Sequence, residues 1–247
     1  MAKNNPGDLL SCDWNPVIGC QRYSAGCRKC WYLDGIFGWQ KRLGNIPVGV
    51  KPDDSYEFPA RMKASYLKTK RGIVGICQHG DLFWDKVSDT TINNVLDIVD
   101  EAARPDTKYV LWSKRAARLA SVLNSRYPHG VPDYLASAIS IEDQKTAKFR
   151  LPELARISGV RIAMLEPMIG PIDLGPYINE IDWVVVGSET GGDDSTPLDL
   201  DWVRAVRDTA KNANKLFFIK QLGNNHKHSV RTLDGRTWDE FAPGFVK

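Results

Sequence analysis

Cys20, Cys27 and Cys30 fall within eleven residues, in Gly19-Cys-Gln-Arg-Tyr-Ser-Ala-Gly-Cys-Arg-Lys-Cys-Trp-Tyr32, directly after the first apolar run of the chain. Three thiolates are one short of a closed zinc site or a fully ligated iron-sulfur cluster, so a metal held here keeps one position for an added ligand. An open position points to chemistry rather than scaffolding. Two metals fit the residues: iron-sulfur on the three thiolates, or zinc completed by Cys12 or His79. Zinc prefers two short ligand pairs, and this chain has one pair, Cys27-x2-Cys30, with a more distant third cysteine, which favours iron-sulfur. Cys12 and Cys77 fall in expected strands, where a free cysteine behaves as a small buried hydrophobe.

The other reactive groups follow apolar runs. In parallel βα architectures catalytic side chains sit beyond the carboxyl ends of strands. Here those positions carry Gln78-His79-Gly80-Asp81, Ser113-Lys114-Arg115, Ser140 with Glu142, Glu166-Pro167, Ser188-Glu189-Thr190-Gly191-Gly192 and Lys220-Gln221. Singly, each reads equally well as a helix cap. Together they form a ring suited to one polar ligand. Glu166 and Glu189 each follow a strongly apolar strand, where an unpaired carboxylate is costly if buried. Lys114, Arg115 or a ligand ammonium would partner them, as would a purely structural ion pair.

The elements that must position these groups alternate strand and helix, the pattern of parallel strands with crossover helices. Strands are expected at 11–18, 72–77, 108–112, 135–141, 160–165, 182–187 and 216–220. Helices are expected at 31–43, at 116–124, at 202–213, and where Ile92, Val95, Leu96, Val99 and Ala103 recur behind the caps Ser88 and Asp89. A short basic helix is expected to end near Arg71. That makes six or seven βα units, fewer than an eightfold barrel, and 247 residues with 43% hydrophobic content suit one domain of this size. The Gly- and Pro-rich stretch 44–59 reads as a lid, and the tail after Gly223, with His226, Lys227 and His228, as irregular. The odd number of five cysteines, the absence of a signal-like apolar core after Met1 and the absence of a long apolar run lead us to expect a cytoplasmic protein with no membrane partner. The charge of +3 permits an anionic partner without requiring nucleic acid. Arg61, Lys63, Lys68, Lys70 and Arg71 around Tyr66 would engage phosphates and a base if the chain were a metal-stapled nucleic-acid-binding module, or simply face solvent. Of the eight tryptophans, Trp31 beside Cys30 is best placed to stack on a ligand.

The segment Trp14-Asn15-Pro16-Val17-Ile18-Gly19-Cys20, with Gly26-Cys27 and Cys30-Trp31-Tyr32, resembles the phage-associated three-cysteine family grouped with the radical S-adenosylmethionine (SAM) proteins. The likeness runs nearly end to end: Gly80-Asp81-Leu82-Phe83, Ser113-Lys114-Arg115, Leu165-Glu166-Pro167, Gly187-Ser188-Glu189, Ile219-Lys220-Gln221 and Leu233-Asp234-Gly235 follow that family's blocks in order. The resemblance implies a partial TIM-like (βα)6-7 barrel of the radical SAM type over residues 1–223, with the cluster loop at 19–32 and an irregular extension at 224–247. It further implies a 4Fe-4S cluster on Cys20, Cys27 and Cys30 that chelates SAM on its fourth iron. Reductive cleavage then yields a 5'-deoxyadenosyl radical that abstracts hydrogen. Asp81 or Gln78 would receive the SAM amino group, Ser140, Glu142, Glu166 and Trp31 would contact ribose, cofactor or substrate, and Glu166, Glu189 and Lys114 are the catalytic candidates. Arg115, Lys220 and Gln221 would bind substrate. An electron donor such as flavodoxin or ferredoxin is implied, and the phage connection suggests an amino-acid-decorated thymine in DNA, or a nucleotide, as substrate for an isomerase or other C-H activating enzyme in an infected bacterial host. Two features depart from the superfamily: six residues rather than three separate Cys20 from Cys27, and Lys29 stands where an aromatic residue usually packs near adenine.

Overall fold

The computed structural model describes residues 9–190, 195–223 and 230–245. Gly191, Gly192, His226, Lys227 and His228 therefore lie outside the described residues. The first apolar run divides into β1 (Cys12–Trp14) and β2 (Val17–Ile18), because Pro16 has no N–H to give to a ladder. Asn15 turns its Oδ1 to the His79 backbone N–H, at 2.8 Å. The expected helix at 31–43 is a π-helical turn at Tyr32–Ile36 that runs into α1 (Phe37–Arg42). After it, the 44–59 excursion packs down rather than standing away: β3 (Tyr56–Glu57) pairs antiparallel with β2, and Ile46 joins Ile18, Tyr32 and Phe37 in a small buried core. The basic helix shrinks to α2 (Ala64–Leu67).

The main sheet continues with β4 (Gly72–Ile76), flanked by α3 (Asp89–Ala102), then β5 (Thr107–Ser113), α4 (Ala116–Arg126) and β6 (Leu135–Ser140). Next come α5 (Gln144–Ala155), β7 (Val160–Leu165), β8 (Trp183–Gly187), α6 (Leu200–Asn212) and β9 (Leu216–Gln221). All pairs are parallel in the order β1-β4-β5-β6-β7-β8-β9. The sheet curls into a half-barrel, so the whole is a mixed α/β fold compatible with a partial TIM-like barrel. The curl is visible in one contact: the Lys220 ammonium on β9 lies 5.1 Å from the ring centre of Trp112 on β5.

Strand alternation divides the core in two. Outward residues such as Val74, Ile76, Leu111, Ile139 and Val184 pack with the buried stripes of the helices, while Ile73, Val110, Ala138, Met164, Val185 and Phe218 fill the inner face. The chain end closes the bottom of that inner face. A hairpin of β10 (Thr232–Leu233) and β11 (Arg236–Thr237) leads to Trp238, which packs edge-on to Phe217, and to Ala242 and Phe245, which are buried in the inner core. What reads in sequence as an irregular extension thus pairs along the edge of β9 through Asp239, packs Leu233 and Trp238 on the outer core, and with Phe241, Ala242 and Phe245 forms the floor of the half-barrel. Among the described residues no helix is long and apolar enough to cross a membrane.

The cysteine loop leaves β2 through Gly19, whose φ of +107° and surroundings admit no side chain: an added Cβ would lie 1.9 Å from the Asp54 carbonyl oxygen. Gly19→Ala is expected to destabilise the fold by about 2–6 kcal/mol, combining backbone strain with overpacking. Gly35→Ala, which meets nothing within 4 Å, should be neutral or slightly stabilising, and urea titration of both variants measures the difference.

Candidate functional site

Above the apolar inner layers, the same alternation brings a polar layer to the carboxyl end of the sheet: Asp13 on β1, Gly75 on β4, Trp112 on β5, Ser140 on β6, Glu166 just past β7 and Lys220 on β9. Asp13, Trp112, Ser140, Glu166 and Lys220 line a cavity of about 490 Å³ whose opposite wall carries Cys20, Cys27 and Cys30. Gln78, Asp81, Lys114, Arg115, Glu189 and, half-exposed at the rim, Trp31 line it as well. Glu142 and Gln221 stand behind the lining.

Each part of the cysteine loop is tied down. The Cys20 backbone N–H donates to the Pro52 carbonyl at 3.0 Å, and Arg22 donates to the carbonyls of Cys27 (2.5 Å) and Arg28 (2.7 Å) and pairs with Asp34. Arg115 reaches the loop from the end of β5, donating to the Cys20 sulfur at 3.7 Å and to the Gln21 carbonyl at 3.2 Å. Burial, with Asp81 nearby, pushes the Cys20 thiol up to about 12, against the opposing pull of Arg115. A bound metal would have to displace that proton. Among the described residues no three His, Cys, Asp or Glu side chains are drawn together as ligands of one ion. Three soft sulfur donors on one wall, beside a buried guanidinium, suit a polynuclear iron-sulfur cluster, which spreads its thiolates around several iron atoms. Neither of the sequence-derived fourth ligands lines the cavity. Cys12 points to the Arg71 carbonyl, and His79 is stacked on Tyr32 at 5.5 Å, its imidazole held neutral at about 4 by burial and by Arg61.

Glu142, expected to contact cofactor, instead holds the loop from behind. Fully buried, it accepts from Ser24 Oγ (2.6 Å) and the Gly26 backbone N–H (2.9 Å), pairs with Lys114, and lies 3.4 Å from Arg150. Burial alone would raise its pKa, but Lys114, Ser24 and the Gly26 N–H outweigh that and leave it below the ordinary carboxylate range. Lys114 is therefore engaged in an ion pair at the edge of the cavity. Asp81 is likewise saturated: it accepts from Phe83 N–H (3.0 Å), Ser113 Oγ (2.7 Å), Lys114 N–H (3.1 Å) and Arg115 (2.9 Å). It is a positioning residue for Arg115 with no free lone pair for an amino group. Arg115, expected against substrate, is committed to Asp81 and Cys20.

On the far wall Lys220 grips both oxygens of Glu166 at 2.8 and 2.9 Å, and Gln221 adds 2.8 Å from behind. Gln221 thus orients Glu166 rather than facing substrate. Ser140 accepts from the Trp112 indole N–H at 2.7 Å, which leaves its own hydroxyl proton for a ligand. Glu189, nearly buried, accepts from the Thr196 N–H at 2.8 Å. Sequence reasoning missed Asp13 and Arg150. The signal for Asp13 was a lone charge inside an apolar run, while Arg150 was hidden in an unrecognised helix. Gly187 makes room for the far wall, since a Cβ there would lie 2.9 Å from Glu166 Cγ and 3.0 Å from Gln221 Nε2. Gly187→Ala is expected to displace the Glu166–Lys220 pair and to cost about 1–3 kcal/mol in a thermal or urea melt.

These features define an α/β half-barrel with a three-cysteine loop over a cavity that carries charged side chains. Residues 9–242 match the model of the family described as protein of unknown function DUF5131, and the chain belongs to that family. Comparison with curated proteins and with solved structures finds no match.

Proposed function

We propose that the protein is a radical SAM enzyme in which Cys20, Cys27 and Cys30 hold a 4Fe-4S cluster and the cavity accommodates SAM beside a substrate. The observation that carries this reading is that the three thiols line a cavity that also carries charged side chains, at the carboxyl end of a parallel half-barrel. Cys20, Cys27 and Cys30 would hold the cluster, and the bound cofactor pair would supply one-electron radical chemistry for hydrogen abstraction from substrate, with the electron coming from a donor such as flavodoxin or ferredoxin. The chain's own residues position and exclude. Glu142 and Arg115 hold the thiol loop, the Ser140 hydroxyl offers a donor for a ribose or substrate oxygen, and the Glu166–Lys220 pair presents a fixed dipole across the cavity. Glu189 is a further group for a substrate proton. The phage resemblance directs the substrate proposal to a modified pyrimidine in DNA or a nucleotide. The alternative nucleic-acid module draws no support from the basic segment: Arg71 donates to the carbonyls of Lys68 and Lys70, and Arg61 donates to the Asn15 carbonyl and stacks on Phe58.

The test is anaerobic reconstitution followed by SAM and dithionite, with iron, acid-labile sulfide and 5'-deoxyadenosine measured. We expect about four irons per chain, the stoichiometry of the proposed cluster, and cleavage of SAM. The Cys20, Cys27 and Cys30 alanine variants should lose both, whereas Cys12→Ala and Cys77→Ala retain them. Colourless protein carrying one tightly held zinc, or cleavage that persists without the three thiols, defeats the proposal. A parallel assay on digested phage DNA tests the substrate class.

A further inference from the structure

Asp13 and Gln78 are unusual within the cavity because they are built in but unused. Asp13, on the inner face of β1, lines the cavity directly across the ladder from Gly75. Among the described residues its carboxylate accepts no hydrogen bond. The other carboxylates whose surroundings are fully described, Asp81 and Glu166, are both tied up by protein donors. Burial raises the Asp13 pKa, while Lys220 across the half-barrel pulls it back. Gln78 lines the same wall, and its carboxamide nitrogen is buried without a partner among the described residues. The two meet over Gly75. A Cβ placed there would lie 2.9 Å from Gln78 Cγ and 3.1 Å from Asp13 Oδ1, so the missing side chain at residue 75 is what lets them stand side by side.

We propose that Asp13 and Gln78 form a recognition edge for a nitrogen heterocycle that presents an N–H donor next to an acceptor, as a nucleobase does. Asp13 takes the N–H, and the Gln78 carboxamide, which can turn either its nitrogen or its oxygen to the ligand, takes the adjacent group. Among the described residues the Asp13 carboxylate is half-buried and unpaired, and the buried Gln78 amide nitrogen lacks the hydrogen bond water would give it, so a ligand edge would supply partners to both at once. The geometry favours a planar ring over an ammonium group. An ammonium is met by acceptors converging from several sides, whereas here one acceptor stands beside a group able to donate. This inference rests on the cavity being a ligand site, as proposed above, but needs no iron.

Two sources carry this chemistry, the adenine of SAM and the base of a substrate, and calorimetry on the full chain separates them. The probes are S-adenosylhomocysteine, uridine and 3-methyluridine, whose ring N–H is replaced by N–CH3. Asp13→Asn and, as a second variant that keeps the charge, Gln78→Met are compared with the wild type after circular dichroism confirms folding. Losing one charge-assisted bond should weaken the recognised probe about tenfold to a hundredfold. If uridine is weakened in the variants and 3-methyluridine binds the wild type poorly, the edge reads a substrate base. If S-adenosylhomocysteine is weakened, the edge reads the cofactor's adenine. Unchanged affinities in both variants, or no probe bound by the wild type, overturn the inference. Its failure is distinct from that of the enzyme proposal: SAM cleavage with unaltered affinities sinks only the edge, and discrimination without iron-dependent cleavage sinks only the enzyme.

Discussion

Glu142→Ala is expected to remove about 3–5 kcal/mol of stability, the usual consequence of deleting one member of a buried charge network. The size follows from what is left behind. Glu142 has no exposed surface, and its partners Arg150 and Lys114 keep only 7% and 19% of theirs. Without the carboxylate, two cations remain in a poorly solvated pocket, and the Gly26 N–H and Ser24 hydroxyl lose their acceptor. The cost falls on the cysteine loop first, because Ser24 and Gly26 lie within the three residues before Cys27. Glu142→Gln keeps the shape and should recover the Gly26 bond but not the charge, so its loss should be smaller. Urea unfolding at pH 7 measures both. The pH dependence gives an independent check. Because the folded pKa of Glu142 is depressed, its contribution is fully present above the unfolded carboxylate value of about 4.3 and is lost as pH falls through the folded value. The gap between wild type and Glu142→Gln should therefore be constant near neutrality and close in acid; a gap that widens on acidification contradicts the network.

The strands of the half-barrel were legible because fully buried parallel strands are written as continuous apolar, β-branched runs such as Trp183-Val-Val-Val-Gly187. The α5 helix was not. Pro152 lies within it, Phe149 on it is largely exposed, and one of its buried positions is Arg150, so the apolar stripe that announces a helix is broken. The broken first strand illustrates the reverse case: Ser11–Ile18 has the composition of a single strand, and only the missing N–H of Pro16 separates the two pieces. For the site, position after a strand identified the residues that gather at the cavity mouth but not which way each one faces. Glu142 and Gln221 occupy strand-end positions as Glu166 and Asp81 do, yet they serve as backing. Facing is set by partners remote in sequence, such as Ser24 for Glu142, and a one-dimensional pattern carries no record of them.

Arg115→Met is expected to destabilise the protein by about 3–5 kcal/mol and, where the thiol loop holds its proposed cluster, to lower iron retention about tenfold to a hundredfold. Both effects come from the same guanidinium. On one side it is the cationic partner of Asp81, at 2.9 Å, in a pair whose members are 7% and 6% exposed. On the other it reaches the Cys20 sulfur and the Gln21 carbonyl, which sets the first thiol of the loop against the cavity wall. Asp81→Asn separates the two roles. It removes the charge that positions Arg115 but keeps the side-chain acceptors for Ser113 and the Phe83 N–H, so stability should fall while part of the contact to Cys20 survives. If Arg115 acts on the thiol directly, Arg115→Met should reduce iron retention more than Asp81→Asn at equal loss of stability. Arg115→Lys, a point charge on a flexible stem, should restore some iron but not the bidentate hold on Asp81 and Gln21. Chelator competition monitored by absorbance, run beside urea unfolding for the three variants and the double mutant, reads the two quantities separately. Iron loss that merely tracks stability across all of them would reduce Arg115 to a structural ion pair.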